Sequence, residues 1–243
     1  MGAEKADAKK DENKDEKQDK PEATKPKKKE ESDRVENIVA LSVFFLLGLI
    51  IAALFTNGFG LFDKNDTSER YNVQIGNDPY RGSAEPKIVM VVFSDYECPF
   101  CKKAELTHRD LMTKYNDSIV LVFKDFPLTM LHPNALNSAL ASECAKEQGK
   151  YWDYHDYIFD NNDQLGIDYL KEYAKFFGMD SDKFDACLDS QKYLYEINLD
   201  KKAGMAVGVS GTPVTFINGI RIVGARPEAE FVNIIEEELA LKK

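Results

Sequence analysis

Cys98-Pro99-Phe100-Cys101 sets two thiols three residues apart. The run before them, Ile88–Phe93, is continuous and β-branched, the pattern of a central strand buried on both faces. The run after them has helical periodicity, so Cys98 falls where a strand ends and a helix begins. At a helix N-terminus a thiol meets unpaired backbone N–H groups and the positive end of the helix dipole. Both favour the thiolate, which is the nucleophile. Pro99 suits the first helical turn, where its missing N–H removes no bond. Cys101 lies one turn on and can form or break a disulfide with Cys98, so the pair is suited to thiol–disulfide exchange through a mixed disulfide. Half of a zinc site is a competing reading, but zinc needs two further ligands. Cys144 and Cys187 stand singly, and His108, His132 and His155 form no pair at ligand spacing, so no metal is expected. An inert structural disulfide at 98–101 is the third reading.

These residues need a scaffold, and the periodicities supply one. A helix is expected from Pro99 to Tyr115, with Leu106, Leu111 and Met112 turned inward. Ile119–Phe123 reads as a second buried strand, which gives a parallel β-α-β unit. Upstream, the weak alternation of Tyr71–Ile75, with Val73 and Ile75 on one side, predicts another strand. From His132 to about Ala206 the period is helical. Gly149 stops the helix of Leu136, Leu140 and Cys144; Asp168 and Ser181 are expected to cap the next two. The second carries Leu170, Tyr173, Ala174 and Phe177 on one face, and the third carries Phe184, Cys187 and Leu188. Val214–Ile217, Asn218-Gly219 and Ile220–Val223 spell a hairpin. Pro227 opens a closing helix lined by Phe231, Ile234, Ile235 and Leu239.

Two further groups bear on chemistry. Cys144 and Cys187 lie on apolar helix faces, as a structural disulfide in an oxidising compartment or as two buried free thiols. Of the three pairings that four cysteines allow, 98–101 with 144–187 is adopted here. Gly211-Thr212-Pro213 directly precedes a strand. Pro213 is either an ordinary strand-opening proline or a cis-proline facing the cysteine pair, with the Thr212 backbone free for an extended peptide.

The rest of the chain sets the location. Of the formal net charge of −10, residues 1–37 contribute −1 from 11 basic and 12 acidic side chains, and the remainder contributes −9. An acidic body is a poor nucleic-acid coat. Residues 1–36 are almost free of apolar side chains and are expected to be a disordered, cytoplasmic tail. Residues 37–56 carry no charge and are apolar all round. At 1.5 Å per residue, about 20 of them match a bilayer core of roughly 30 Å, so a single-pass signal-anchor helix is expected, with a cleaved signal peptide as the alternative. Lys25, Lys27, Lys28, Lys29 and Arg34 crowd its N-terminal flank, against Lys64 and Arg70 beyond it. The positive-inside rule then puts the body outside the cytoplasm, after a tether at 57–70.

The body, 71–243, resembles the DsbA family of thiol–disulfide oxidoreductases, and most of all a membrane-anchored branch of Gram-positive and other non-enteric prokaryotes. The resemblance rests on Phe93–Lys102, Phe126-Pro127-Leu128, His132-Pro133-Asn134-Ala135, Glu143-Cys144-Ala145, Gln148–Trp152, Cys187–Ser190, Gly208–Pro213 and Phe216–Gly219, in family order. It implies an α/β thioredoxin-like fold with an inserted α-helical domain at about 128–206. Cys98 becomes the exposed attacking thiol, Cys101 the resolving one, Pro213 the cis-proline and Thr212 the substrate-pairing residue before it; Pro99, Phe100 and Glu97 flank the pair. A cysteine pair at the positions of Cys144 and Cys187 is common in the branch. No cofactor is implied beyond the redox-active Cys98–Cys101 pair. The implied protein disulfide oxidoreductase is a monomer that oxidises reduced secreted or surface proteins. A quinone-linked membrane partner of the DsbB or VKOR type would reoxidise it. A reductase of the same fold and a peptide-binding, chaperone-like module are the alternatives. Two departures stand out. Phe100 replaces the histidine of enteric members, so it supplies no positive charge. Val92 occupies the position of a buried carboxylate six residues before Cys98, which leaves Glu97, Asp95 or water as proton acceptors for Cys101. Glu97 would raise the pKa of Cys98, and Lys102 and Lys103 would lower it.

Overall fold

The computed structural model describes residues 69–242. Among them no helix is long and apolar enough to cross a membrane. The expected tail, membrane helix and most of the tether lie outside the described residues.

Five strands form one mixed sheet: β1 (Tyr80–Gly82), β2 (Ile88–Ser94), β3 (Ile119–Asp125), β4 (Val214–Ile217) and β5 (Ile220–Val223). Their spatial order is β1-β3-β2-β4-β5. Only β2 and β3 run parallel, with Ser94 opposite Asp125; Phe93 pairs with Val214 across the antiparallel β2–β4 ladder. The helices are α1 (Pro99–Lys114), α2 (Ala135–Glu147), α3 (Tyr151–Asp160), α4 (Ile167–Phe176), α5 (Ser181–Asp189), α6 (Leu194–Ala206) and α7 (Glu228–Ala240). The five from α2 to α6 form the insert between β3 and β4.

Both faces of β2 are buried, which is why its sequence is unbroken by polar residues. Met90 and Val92 join Leu111 of α1 and Phe231, Ile234 and Ile235 of α7 in the larger core. Val91 and Phe93 point the other way, to Phe126, Val209 and Phe216. There α6 comes so close that a Cβ on Gly204 would lie 3.0 Å from the rings of Phe93 and Phe126. The Asn218-Gly219 turn has both φ angles positive, 47° and 88°, as a tight hairpin requires.

Several expectations need correction. Tyr71–Ile75 is not a strand: the segment makes one backbone bond to the sheet edge, Tyr71 N–H to Gly219 O at 2.9 Å. The edge strand is instead Tyr80–Gly82, pairing antiparallel with Val120–Val122. Leu106 is 52% exposed, because the inward stripe of α1 is Cys101, Ala104, Glu105, His108 and Leu111. Asp168 lies in the first turn of α4, behind its N-cap Gly166. Asp180, not Ser181, caps α5, accepting the Lys183 N–H. Pro227 is the N-cap of α7, one residue before its start.

Candidate active site

The β2–α1 junction is a tight turn. Cys98 is the N-cap of α1, with Pro99 first in the helix, and its own N–H donates to Asp95 O at 3.2 Å. Its side chain accepts no capping bond, and the sulfur stands at the N-terminal end of the helix. The structure holds Cys98 and Cys101 as two thiols, the reduced form of the expected exchange pair. Cys98 is also less open than expected, at 4% exposure, while Phe100 beside it is 65% exposed. The loop before β4 causes this: the Cys98 sulfur lies 3.8 Å from the Thr212 carbonyl oxygen, and the Thr212–Pro213 peptide is cis.

The two thiols are driven apart in acidity. The Cys101 S–H donates to the Cys98 sulfur and is the largest influence lowering the latter's pKa. Burial opposes it, and the N–H groups of Cys101 and Phe100 and the nearby Thr212 reinforce it, leaving Cys98 at about 6. Burial pushes Cys101 well above the usual thiol range, and its bond to Cys98 adds to the rise. Glu97 and the lysines, which the sequence set in opposition around Cys98, are not among the main influences on it. The Glu97 carboxylate accepts Asn134 N–H at 2.6 Å and Asn134 Nδ2 at 2.8 Å. Lys102 turns away to Asp160 O at 2.8 Å and Asn162 Oδ1 at 3.3 Å.

Asp95, 1% exposed, fastens the turn to the loop after β3. Its Oδ1 accepts Glu97 N–H, and its Oδ2 accepts Leu128 N–H and His132 Nδ1, all at 2.8 Å. Burial alone would lower the pKa of His132, but Asp95 outweighs it, and Cys98 and Glu97 raise it further. His132 is the site residue that sequence reasoning left without a role. The signal was present in His132-Pro133-Asn134-Ala135, beside Phe126-Pro127-Leu128.

Behind α1, Glu105 is 2% exposed and receives Arg81 at 2.8 Å and Arg109 at 3.2 Å. Ligand atoms of Glu105, His155 and Asp156 come within 4.8 Å of one another, but both guanidiniums already point into this cluster. In the insert, Cys144 and Cys187 are joined by a disulfide that links α2 to α5. Their Cα atoms are 5.9 Å apart.

A family model described as thioredoxin matches residues 74–237, and the chain belongs to that family. The fold is that of the DsbA proteins, a thioredoxin core with a helical insert. The thiol–disulfide exchange protein alpha-DsbA2 of Wolbachia pipientis aligns with a TM-score of 0.59 at 24% identity, over 66% of this chain and 86% of that one. Oxidised BdbD of Bacillus subtilis aligns with a TM-score of 0.62 at 21% identity, over 67% and 93%. Among curated proteins, the Na(+)/H(+) antiporter NhaA 1 of Mycolicibacterium vanbaalenii is 33% identical over 166 residues, 68% of this chain and 27% of the antiporter. NhaA 3 of Salinispora tropica is 38% identical over 144 residues, 59% and 22%. The chain thus spans about a quarter of the length of the curated relatives it matches.

Proposed function

We propose that this chain is an extracytoplasmic protein disulfide oxidoreductase that introduces disulfide bonds into secreted or surface proteins. The observation that carries the reading is the split acidity of one thiol pair: Cys98 at a helix N-terminus held near 6, and Cys101 buried and held high.

In the oxidised protein a substrate thiolate attacks the Cys98 sulfur of the Cys98–Cys101 disulfide. The mixed disulfide forms, and Cys101 leaves as a thiolate that takes up a proton, as its high pKa favours. A second substrate thiolate then attacks the substrate sulfur bonded to Cys98. The substrate disulfide forms, and Cys98 leaves as a thiolate already stable at neutral pH. A stable leaving thiolate also stabilises the reduced protein, which makes the pair oxidising. Thr212 and Pro213 flank the sulfur, where an extended substrate segment would lie along the Thr212 backbone. A quinone-linked membrane partner of the DsbB or VKOR type would return the pair to the disulfide. The apolar, uncharged stretch at 37–56 and its basic N-terminal flank support a membrane tether with the body outside.

The test is oxidative refolding of a reduced, disulfide-containing protein by the full-length chain. Activity that disappears with Cys98→Ser supports the reading, and full activity in that variant overturns it. A glutathione redox titration then assigns direction. A potential near −120 mV belongs to an oxidase, and one near −270 mV to a reductase.

A further inference from the structure

We infer that His132 supplies the positive charge that the Cys98-x-x-Cys101 dipeptide lacks, and so adds to the thiolate stability and raises the redox potential of Cys98 as a positioning residue. The inference deepens the proposed function and rests on Cys98 being the attacking sulfur.

The geometry begins with the turn itself. Residues 95–98 carry two carboxylates, Asp95 and Glu97, immediately before the thiol. Each would oppose a thiolate at Cys98. Neither is left bare. Glu97 is held by two donors of Asn134, and Asp95 by two backbone N–H groups and the His132 ring. Asn134 and the N–H groups are neutral. His132 is the partner that can carry a full charge, at 2.8 Å from Asp95 and 19% exposed. The loop is fixed for this purpose: His132 N–H donates to Leu128 O at 2.9 Å, and Leu128 N–H donates to Asp95. These bonds hold the His132 backbone beside Asp95, and the ring closes the contact with its own bond to Asp95 Oδ2. With His132 protonated, the Asp95–His132 pair is neutral and the thiolate is opposed by Glu97 alone. With His132 neutral, both carboxylates face it.

The charged groups facing His132 are Asp95, Glu97 and the Cys98 thiolate, all negative. The coupling must be reciprocal, because a charge that stabilises the thiolate is itself stabilised by it. The consequence for exchange is that each release of Cys98 as a leaving thiolate takes place beside an imidazolium. No proton needs to transfer from His132 for the step to balance.

Two measurements test this. The first follows thiolate absorbance against pH in the reduced full-length chain, with Cys98→Ser as the blank. His132→Gln, which keeps polarity but not charge, should shift the Cys98 midpoint upward by about one unit, the size of one nearby charge. His132→Lys should bring it back. The same shift would make the glutathione equilibrium up to roughly tenfold less oxidising, ~30 mV. An unchanged midpoint in a folded His132→Gln protein overturns the proposal. The second needs no variant at His132. The imidazole pKa, followed by NMR, should be higher in the reduced protein than in the oxidised one, where the Cys98 charge is gone. Equal values overturn the proposal even if His132→Gln does not fold. A wild-type absorbance trace matching that of Cys98→Ser would instead remove Cys98 as the reactive thiolate, and this inference would fall with the function it rests on.

Discussion

The Cys98 sulfur lies 3.8 Å from the carbonyl oxygen of Thr212. The reactive atom and the backbone of the residue before Pro213 thus share one small surface, although they are 114 residues apart in sequence. The β2–β4 ladder makes the meeting unavoidable. Phe93 pairs with Val214, so the chain leaving β2 and the chain entering β4 emerge side by side.

Cys98 held at about 6 should make alkylation of the reduced protein pH-dependent in a specific way. The thiolate is the reactive form, so the rate should rise through a midpoint near 6 and be flat above it. Cys101→Ala removes the strongest hydrogen bond to that sulfur, and the midpoint should move up toward the ordinary thiol value of about 8.5. A midpoint that stays near 6 in Cys101→Ala would mean that the helix N-terminus and the groups around it set the acidity without Cys101.

Much of this scaffold could be read from the sequence. Ile88–Ser94 announced itself because both of its faces are buried, and Asn218-Gly219 because its backbone needs positive φ. What stayed hidden has a common cause. The inward stripe of α1 includes Glu105 and His108, buried polar residues bonded to Arg81 and Thr215, so apolar periodicity assigned Leu106 to the wrong side. Tyr80–Gly82 forms a strand only because β3 offers it an edge. His132 lies in a loop without period, and its role comes from Asp95, 37 residues earlier.

Glu105 gives a prediction about stability. Burial alone would raise its pKa, but the imidazoles of His108 and His155, 3.8 and 3.5 Å from its oxygens, overturn that, and the carboxyl sits well below the usual range. Arg81 and Arg109, charged at every accessible pH, complete the cluster. Glu105→Gln leaves two guanidiniums short of their counter-charge, and the expected loss is about 3–5 kcal/mol. Urea unfolding midpoints at pH 7 measure it. The folded pKa is depressed, so the carboxylate's contribution is present above about 4.3 and fades as pH falls. The gap between wild type and variant should therefore narrow in acid; a constant gap would assign the loss to packing.

The Cys144–Cys187 bridge spans 43 residues of sequence. Closing a loop of that length removes denatured-state entropy worth about 4 kcal/mol in the chain-entropy model. Cys144→Ala with Cys187→Ala should lower urea stability by about 2–4 kcal/mol. Its refolding activity per folded molecule should stay unchanged, because the bridge is confined to the insert helices α2 and α5. A shifted redox potential in the double variant would show that the insert tunes the site.

At the end of β3 the electrostatics run the other way. Asp125 is 3% exposed, and its Oδ1 has no hydrogen-bond partner among the described residues. Burial pushes its pKa well up, and Glu143, Asp200 and Asp78 add to the rise against the opposing pull of Lys146. Burial likewise carries Asp200 to about 7, although Lys124 lies 2.7 Å from it. An acid whose folded pKa exceeds its unfolded value binds more protons when folded. Its contribution to stability is full below the unfolded value of about 3.9 and is lost as pH rises through the folded one. For Asp200 that window runs from about 4 to about 7. Asp125→Asn removes one ionisation while keeping the shape. Its unfolding midpoint should exceed that of the wild type at pH 8, where the wild-type carboxyl is under pressure to ionise, and the advantage should shrink by pH 5. Equal pH slopes in the two proteins would mean that Asp125 binds protons alike in the folded and unfolded chain, and the cluster's pH sensitivity would then rest with Asp200.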